Sequence, residues 1–383
     1  FRGRDGAGSS DADSIPTEWT SRDYVWRIPL SGIGHSSPVV WGDYVYVSSA
    51  TQDDAQRYLC CIDATDGHAV WQRTFPSPTF DLGNATAFDA ATPVVDEQRV
   101  YIVWANPKEC ILQALDRRHG KTIWQRDMGP IDSEHGFGTS PILYEDSLIQ
   151  LCDNKGSSWL AALDCKTGQT RWKVERTTVK TTYSTPLIYY PAGGNPQLIT
   201  VGWGPGFTAY DPQSGRQLWQ LPLFQFRSVG SPLVAGGLVF AAVGTGGRGR
   251  QMFAVRPGDS AKGTEAEVAY EITQSMPYVP TPIAHDNLLF IWGDSGVVQC
   301  IDVATGTVHW RERVGGNYYG SPVRVNDRLY CISRDGVVTV LAAARQFQVL
   351  AQNDLEEPSH STPAIAGGKM FLRTFTHLMA VGE

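Results

Sequence analysis

Apolar and polar positions alternate along this chain in short runs broken by turn residues, which is the two-residue period of β-strands. The stretch from Cys300 to Trp310 is the pattern in miniature. An apolar strand delivers Asp302, whose carboxylate can cap backbone N–H groups two residues on. Gly306 supplies the positive φ that closes the turn, and Trp310 follows on the next strand. The same spacing returns as Asp63, Gly67, Trp71; as Asp116, Gly120, Trp124; as Asp164, Gly168, Trp172; and as Asp211, Gly215, Trp219. No helical periodicity of useful length interrupts it.

A second marker runs in step with the first. Ser or Thr precedes a proline at the mouth of an apolar strand at Pro38, Pro93, Pro141, Pro186, Pro232, Pro282, Pro322 and Pro363, spaced 40 to 55 residues apart. Proline is tolerated at the first residue of a strand, and a period in the forties with several short strands per unit signals a propeller blade. The expectation is an all-β, eight-bladed β-propeller. Residues 1–20 read as an extended N-terminal arm and residues 21–383 as a single propeller. Tyr24-Val25-Trp26-Arg27 is an outer strand without partners of its own, and the last repeat lacks a closing Trp strand. Trp26 is therefore expected to complete the last blade, hiding its edge. Two repeats depart from the pattern. Blade five has Phe253 to Gly258 in place of the Asp turn, with Tyr270 for Trp. Blade seven has Ala342-Ala343-Ala344, with Leu350 for Trp.

Composition narrows the functions. A net charge of −7 and the absence of a basic stripe argue against nucleic acid as a partner. No run of 18 apolar residues suggests a membrane span. The first residue is Phe1, consistent with a leader removed before it and hence with a periplasmic or extracellular protein; a monomer is expected. The seven cysteines fall mostly within strands, as small buried hydrophobes do.

The hairpin Ala161-Ala162-Leu163-Asp164-Cys165-Lys166-Thr167-Gly168 with Trp172 resembles the tryptophan-docking repeats of the pyrroloquinoline-quinone (PQQ) propeller superfamily. The resemblance runs from about Trp19 to Val381. His35 to Gly42 and the opening Phe1 to Gly6 look like PQQ-like repeat proteins of planctomycete-type bacteria. The superfamily holds quinoprotein alcohol dehydrogenases and non-catalytic relatives such as BamB, so it implies the fold and leaves function open. Dehydrogenase members set a vicinal disulfide against the quinone. Cys60-Cys61 lies within a strand, where successive side chains face opposite ways, and no calcium-ligand or catalytic-Asp segment matches. No cofactor is expected, with PQQ and calcium implied only under the dehydrogenase alternative. The leading expectation is a non-catalytic binding or scaffold module for a protein or small ligand.

Residues just ahead of the prolines should rim the channel. Among them His35, Asp89, Phe137, Tyr183, Arg227, Tyr278, Tyr319 and His360 form the candidate ligand site; otherwise they plug and solvate the funnel of a scaffold. A metal between His35 and His360 is conceivable but lacks a third ligand. With ordinary histidine pKa values, acidification would charge this mouth. Trp104, Trp203 and Trp292 either form an exposed aromatic patch or pack between blades. Asn84-Ala85-Thr86 is a glycosylation sequon.

Overall fold

The computed structural model describes residues 1–3, 6–12, 15–81, 88–245, 249–259 and 262–382; the sequon lies outside them. Eight blades of four antiparallel strands form the ring, one of them extended by a short parallel fifth strand, and the described residues contain no α-helix. Blade 1 runs Val39–Trp41, Tyr44–Ala50, Arg57–Asp63 and Ala69–Phe75 from the channel outward, and blades 2 to 7 repeat the order. Blade 8 is made of Ala364–Ala366, Lys369–Arg373 and His377–Gly382. Its outer strand is Trp26–Pro29, with Trp26 opposite Ala380 and Pro29 opposite His377. The ring closes through strands from both ends of the chain, as expected. Among the described residues no helix is long and apolar enough to cross a membrane.

The residue before each proline explains the second repeat. The Ser37 N–H donates to the Thr92 hydroxyl, Thr92 N–H to Ser140, Ser140 to Thr185, and Thr185 to Ser231. Ser231 N–H continues to Thr281, Thr281 to Ser321, Ser321 to Thr362, and Thr362 back to Ser37. These eight bonds of 2.9 to 3.3 Å form a closed circle at the channel mouth. Ser and Thr alternate around it without exception.

The Asp–Gly–Trp repeat acts between blades. Trp71, Trp124, Trp172, Trp310 and Trp26 each donate Nε1–H to a carbonyl in the turn of the following blade, at 2.9 to 3.2 Å. The turn glycine seats the indole. Gly168 has φ +66°, and a Cβ there would come within 2.6 Å of the Trp124 ring. Glycine is thus required twice over, for the turn and for the flat seat.

The irregular blades find substitutes. Tyr270 takes the Trp position of blade 5 and its hydroxyl donates to the Val303 carbonyl. Blade 5's own turn lacks Asp, and Gln197 bridges to it: Trp219 donates to Gln197 Oε1 (2.7 Å), and Gln197 Nε2 donates to the Gly258 carbonyl (2.7 Å). Blade 7 corrects the expectation for Leu350. Its turn closes Ala342 N–H onto Gln348, one residue longer than Asp302 onto Thr307. The register shifts accordingly, so Ala351 pairs with Val340 where Trp310 pairs with Cys300, and Leu350 falls at the bulge. The missing ring comes from the arm. Trp19 is buried and stacks on Tyr330 with centroids 6.5 Å apart, and its backbone N–H donates to Asn353 Oδ1 (2.9 Å). Ile15 packs into the same cluster between blades 7 and 8.

Replacing Trp26 or Trp19 with Ala is expected to cost about 3–5 kcal/mol each, the usual penalty for emptying an aromatic core site. Leu350→Ala should cost less than either. Urea unfolding of the three variants checks this ranking; a Trp19→Ala midpoint equal to wild type would rule out the arm as a blade component.

Candidate functional site

The rigid circle at Ser37 to Thr362 fixes the backbone of the residues just ahead of it. The structure sorts the eight candidates into two clusters and two outliers, Asp89 buried and Phe137 half-buried. Tyr319, His360 and His35 come together with Phe375, which the sequence pattern did not single out. The His35 and His360 rings lie 4.5 Å apart, Phe375 is 5.3 and 5.0 Å from them, and Tyr319 is 4.8 Å from His360. Arg334 lies 4.5 Å over the Tyr319 ring, and its Nε donates to His360 Nε2 (3.2 Å). That donor requires His360 to be neutral, since an imidazolium nitrogen cannot accept. Tyr319 is 39% exposed and is the open face of the group.

Asp89 does not join this surface. It is buried beneath the histidines, accepting from the Ser48 hydroxyl (3.0 Å), with Arg373 and Arg57 as neighbouring charges. Burial pushes its carboxyl up, while burial pulls Arg373 and Arg57 down to about 10. The trio is a buried support: Arg373 donates to the Ser36 carbonyl at 2.8 Å, tying blade 8 to blade 1. Phe137 likewise packs on the core cluster between blades 2 and 3.

The second cluster centres on Glu134, also absent from the sequence candidates. Its carboxylate accepts from Lys155 (2.7 Å), Lys180 (3.4 Å) and Arg227. Hydrogen bonds from Lys155 and Arg227 hold it down to about 2. Tyr183 meets the Ser133 hydroxyl at 3.2 Å and the His135 ring at 6.4 Å. The Arg227 charge is felt at both Tyr183 and Tyr278. Asp294 holds the Tyr278 backbone, accepting from the N–H groups of Tyr278 (2.6 Å) and Val279 (3.1 Å). Arg227 is buried, and its Nη1 has no partner among the described residues.

These environments overturn the expectation that mild acid would charge the mouth. Burial pulls His35 down to about 3, helped by the Arg373 charge; burial and Arg334 pull His360 down to about 4. Both rings stay neutral through mild acid. No metal-ligand set forms there: the one group of three ligand-type residues close enough together among the described residues is Asp63, Asp66 and His68, in an exposed turn of blade 1. The vicinal thiols do not fit the disulfide of a quinone site. Cys60 and Cys61 are free thiols on opposite faces of one strand, in different interblade clusters. Burial pushes them up to about 11 and about 12. Trp104 and Trp292 are buried between blades, while Trp203 is half-buried against Phe226 with Lys180 above it.

A family model described as outer membrane protein assembly factor BamB matches residues 18–185, 156–264 and 262–381. The solved structure of BamB from Moraxella catarrhalis superposes with TM-score 0.67 at 17% identity, over 93% of this chain and 96% of that one. The quinohemoprotein alcohol dehydrogenase from Comamonas testosteroni gives 0.71 at 13% identity, over 98% and 78%. These two likenesses speak to the fold alone. Among curated proteins, tetrathionate hydrolase of Acidithiobacillus ferrooxidans is 26% identical over 249 residues, 62% of this chain. The chain matches 46% of that relative's length.

A linkage prediction follows from the histidines. Their folded values lie below the unfolded value of about 6.5, so between the two the unfolded chain binds more protons. Stability from this source is complete above about pH 6.5 and is lost as pH falls toward the folded values, at up to about 1.4 kcal/mol per pH unit for each group. Denaturant unfolding between pH 7 and 5 should show the decline in wild type and a flatter profile in His35→Gln/His360→Gln. An unchanged slope in that variant would contradict the assignment.

Proposed function

The chain belongs to the family described as outer membrane protein assembly factor BamB, and from that membership we propose that it is a non-catalytic binding propeller whose mouth receives an acidic segment of a protein partner. The reading places it in the periplasm or outside the cell, in keeping with the family description. The observation that carries it is the cationic half of the mouth. Lys155, Lys180 and Arg227 share one carboxylate, Glu134, in a chain that is otherwise net negative. Arg227 is buried with one nitrogen unpartnered. A buried guanidinium short of acceptors favours an incoming carboxylate, and Arg binds carboxylates with two parallel N–H groups. The mouth's other cluster, with Tyr319, His360 and Phe375, offers aromatic faces that need no ordering on binding. The candidates that serve this reading are Tyr183, Arg227, Tyr278, Tyr319, His360 and His35.

The rival reading, a PQQ-dependent dehydrogenase, draws on the fold shared with such enzymes. Against it stand the two thiols turned to opposite faces of a strand and the mouth carboxylate Glu134 already engaged by three cations.

A labelled poly-glutamate peptide serves as the probe. Wild-type protein should bind it in a salt-sensitive manner, and Arg227→Gln should weaken binding at least about tenfold, or 1.4 kcal/mol. Undiminished binding in that variant, or alcohol oxidation after reconstitution with PQQ and calcium, would overturn the proposal.

A further inference from the structure

The central channel is not empty of protein. The arm enters it, and Ser9–Ser10 adds a parallel strand to the inner edge of Val323–Val325, with Ser9 opposite Arg324 and Ser10 opposite Val325. Arg324 N–H donates to the Gly8 carbonyl (2.8 Å) and Asn326 N–H to that of Ser10 (3.0 Å). Ahead of this strand the arm folds on itself, Gly8 N–H donating to the Arg2 carbonyl at 2.9 Å. Arg2 is driven into the wall of blades 6 and 7. It is 6% exposed, and its guanidinium donates to the carbonyls of Pro282 (2.9 Å) and Pro322 (3.1 Å). Those prolines directly follow Thr281 and Ser321 of the hydrogen-bonded circle. Gly8 closes over the guanidinium; a Cβ there would come 2.7 Å from Arg2 Nε.

Beside the arm the channel keeps a cavity of about 540 Å³, in the size range of small-molecule sites. Its wall is built mainly from the innermost strands of blades 8 and 1 to 4, with side chains such as Val40, Val95, Leu143, Ile188 and Ile365, and is completed by Pro232, Val323 and the arm. Among the described residues of that wall, Arg2 is the one whose side chain carries a charge. No described carboxylate pairs with it, and its Nε has no partner. Burial pulls the guanidinium down to about 10, as expected for a cation held by carbonyl dipoles without a counter-charge. A buried charge without an ion partner is costly, and an apolar wall rewards an apolar body. One ligand chemistry answers both demands.

We infer that the channel cavity binds an amphipathic monoanion, a medium-chain carboxylate whose headgroup neutralises Arg2 and whose hydrocarbon tail fills the apolar wall. Entry is from the turn face, where Trp41 stands 41% exposed at the cavity rim. The site lies inside the channel and is separate from the mouth proposed for an acidic partner, so neither reading depends on the other.

The test is calorimetric titration of the full chain with decanoate and with decanol. Wild type should bind decanoate at one equivalent and prefer it to decanol at least about tenfold. Arg2→Gln should erase that preference, Arg2→Lys should retain it, and Ser9→Trp, which fills the cavity from the arm, should weaken both ligands. Equal affinity for acid and alcohol in wild type, unchanged decanoate affinity in Arg2→Gln, or uptake that Ser9→Trp leaves untouched would overturn the inference. The last of these is surface adsorption only. Melting of each variant before titration separates lost binding from lost folding.

Discussion

Eight backbone N–H groups, each just ahead of a proline, donate in turn to the hydroxyl of the next blade until Thr362 returns to Ser37. The circle solves a problem that the prolines create. An inner strand opening on proline lacks one donor there, and the preceding residue is held in extended geometry. Its own N–H is thereby aimed sideways at the neighbouring blade, in a crowded interior where an unmade hydrogen bond is expensive. A hydroxyl at the equivalent position of the next blade meets it. Because the chain of donors closes, no blade can shift along the channel axis without straining its two neighbours.

The outer rim is tied by different chemistry to the same effect. Each indole of the regular blades is bonded to a carbonyl of the next blade's turn and pressed on its glycine, as Trp124 is on Cys165 and Gly168. Where the turn or the indole is lost, the chain supplies a bridge from elsewhere, Gln197 in one case and Trp19 in the other. Inner circle and outer docks together leave the mouth residues little freedom. This is why His35 and His360 stay packed together and neutral, and why Arg227 is held buried over a shared carboxylate.

Much of this was legible from the residues, because the repeat is local. Asp302, Gly306 and Trp310 lie within one hairpin, and eight prolines count eight blades. What was hidden depends on partners far apart in the chain. The Ser and Thr before the prolines read as strand mouths, yet their bonding partners are a whole blade away. Leu350 stood at the right distance for a docking residue, and one extra residue in the blade 7 turn moved Ala351 into its place. Trp19 gave no sign of its role, since it sits in a polar arm without periodicity. At the mouth, position relative to proline found Tyr319, His360 and Arg227. It also gathered Asp89, which burial between Arg373 and Arg57 makes a support, and missed Glu134, which lies farther from its proline on the loop that carries Phe137, as well as Phe375 and Arg334, which come from other loops.

The claim on which the account rests is that the eight hydroxyl bonds form one cooperative frame. Native-state hydrogen exchange of the amides of Ser37, Thr92, Ser140, Thr185, Ser231, Thr281, Ser321 and Thr362 tests it directly. The account predicts that all eight exchange in a single slow class, with the free energy of global unfolding, because none can open alone. Amides that exchange at scattered, loop-like rates, or a subset that opens locally while the rest stay protected, would contradict it.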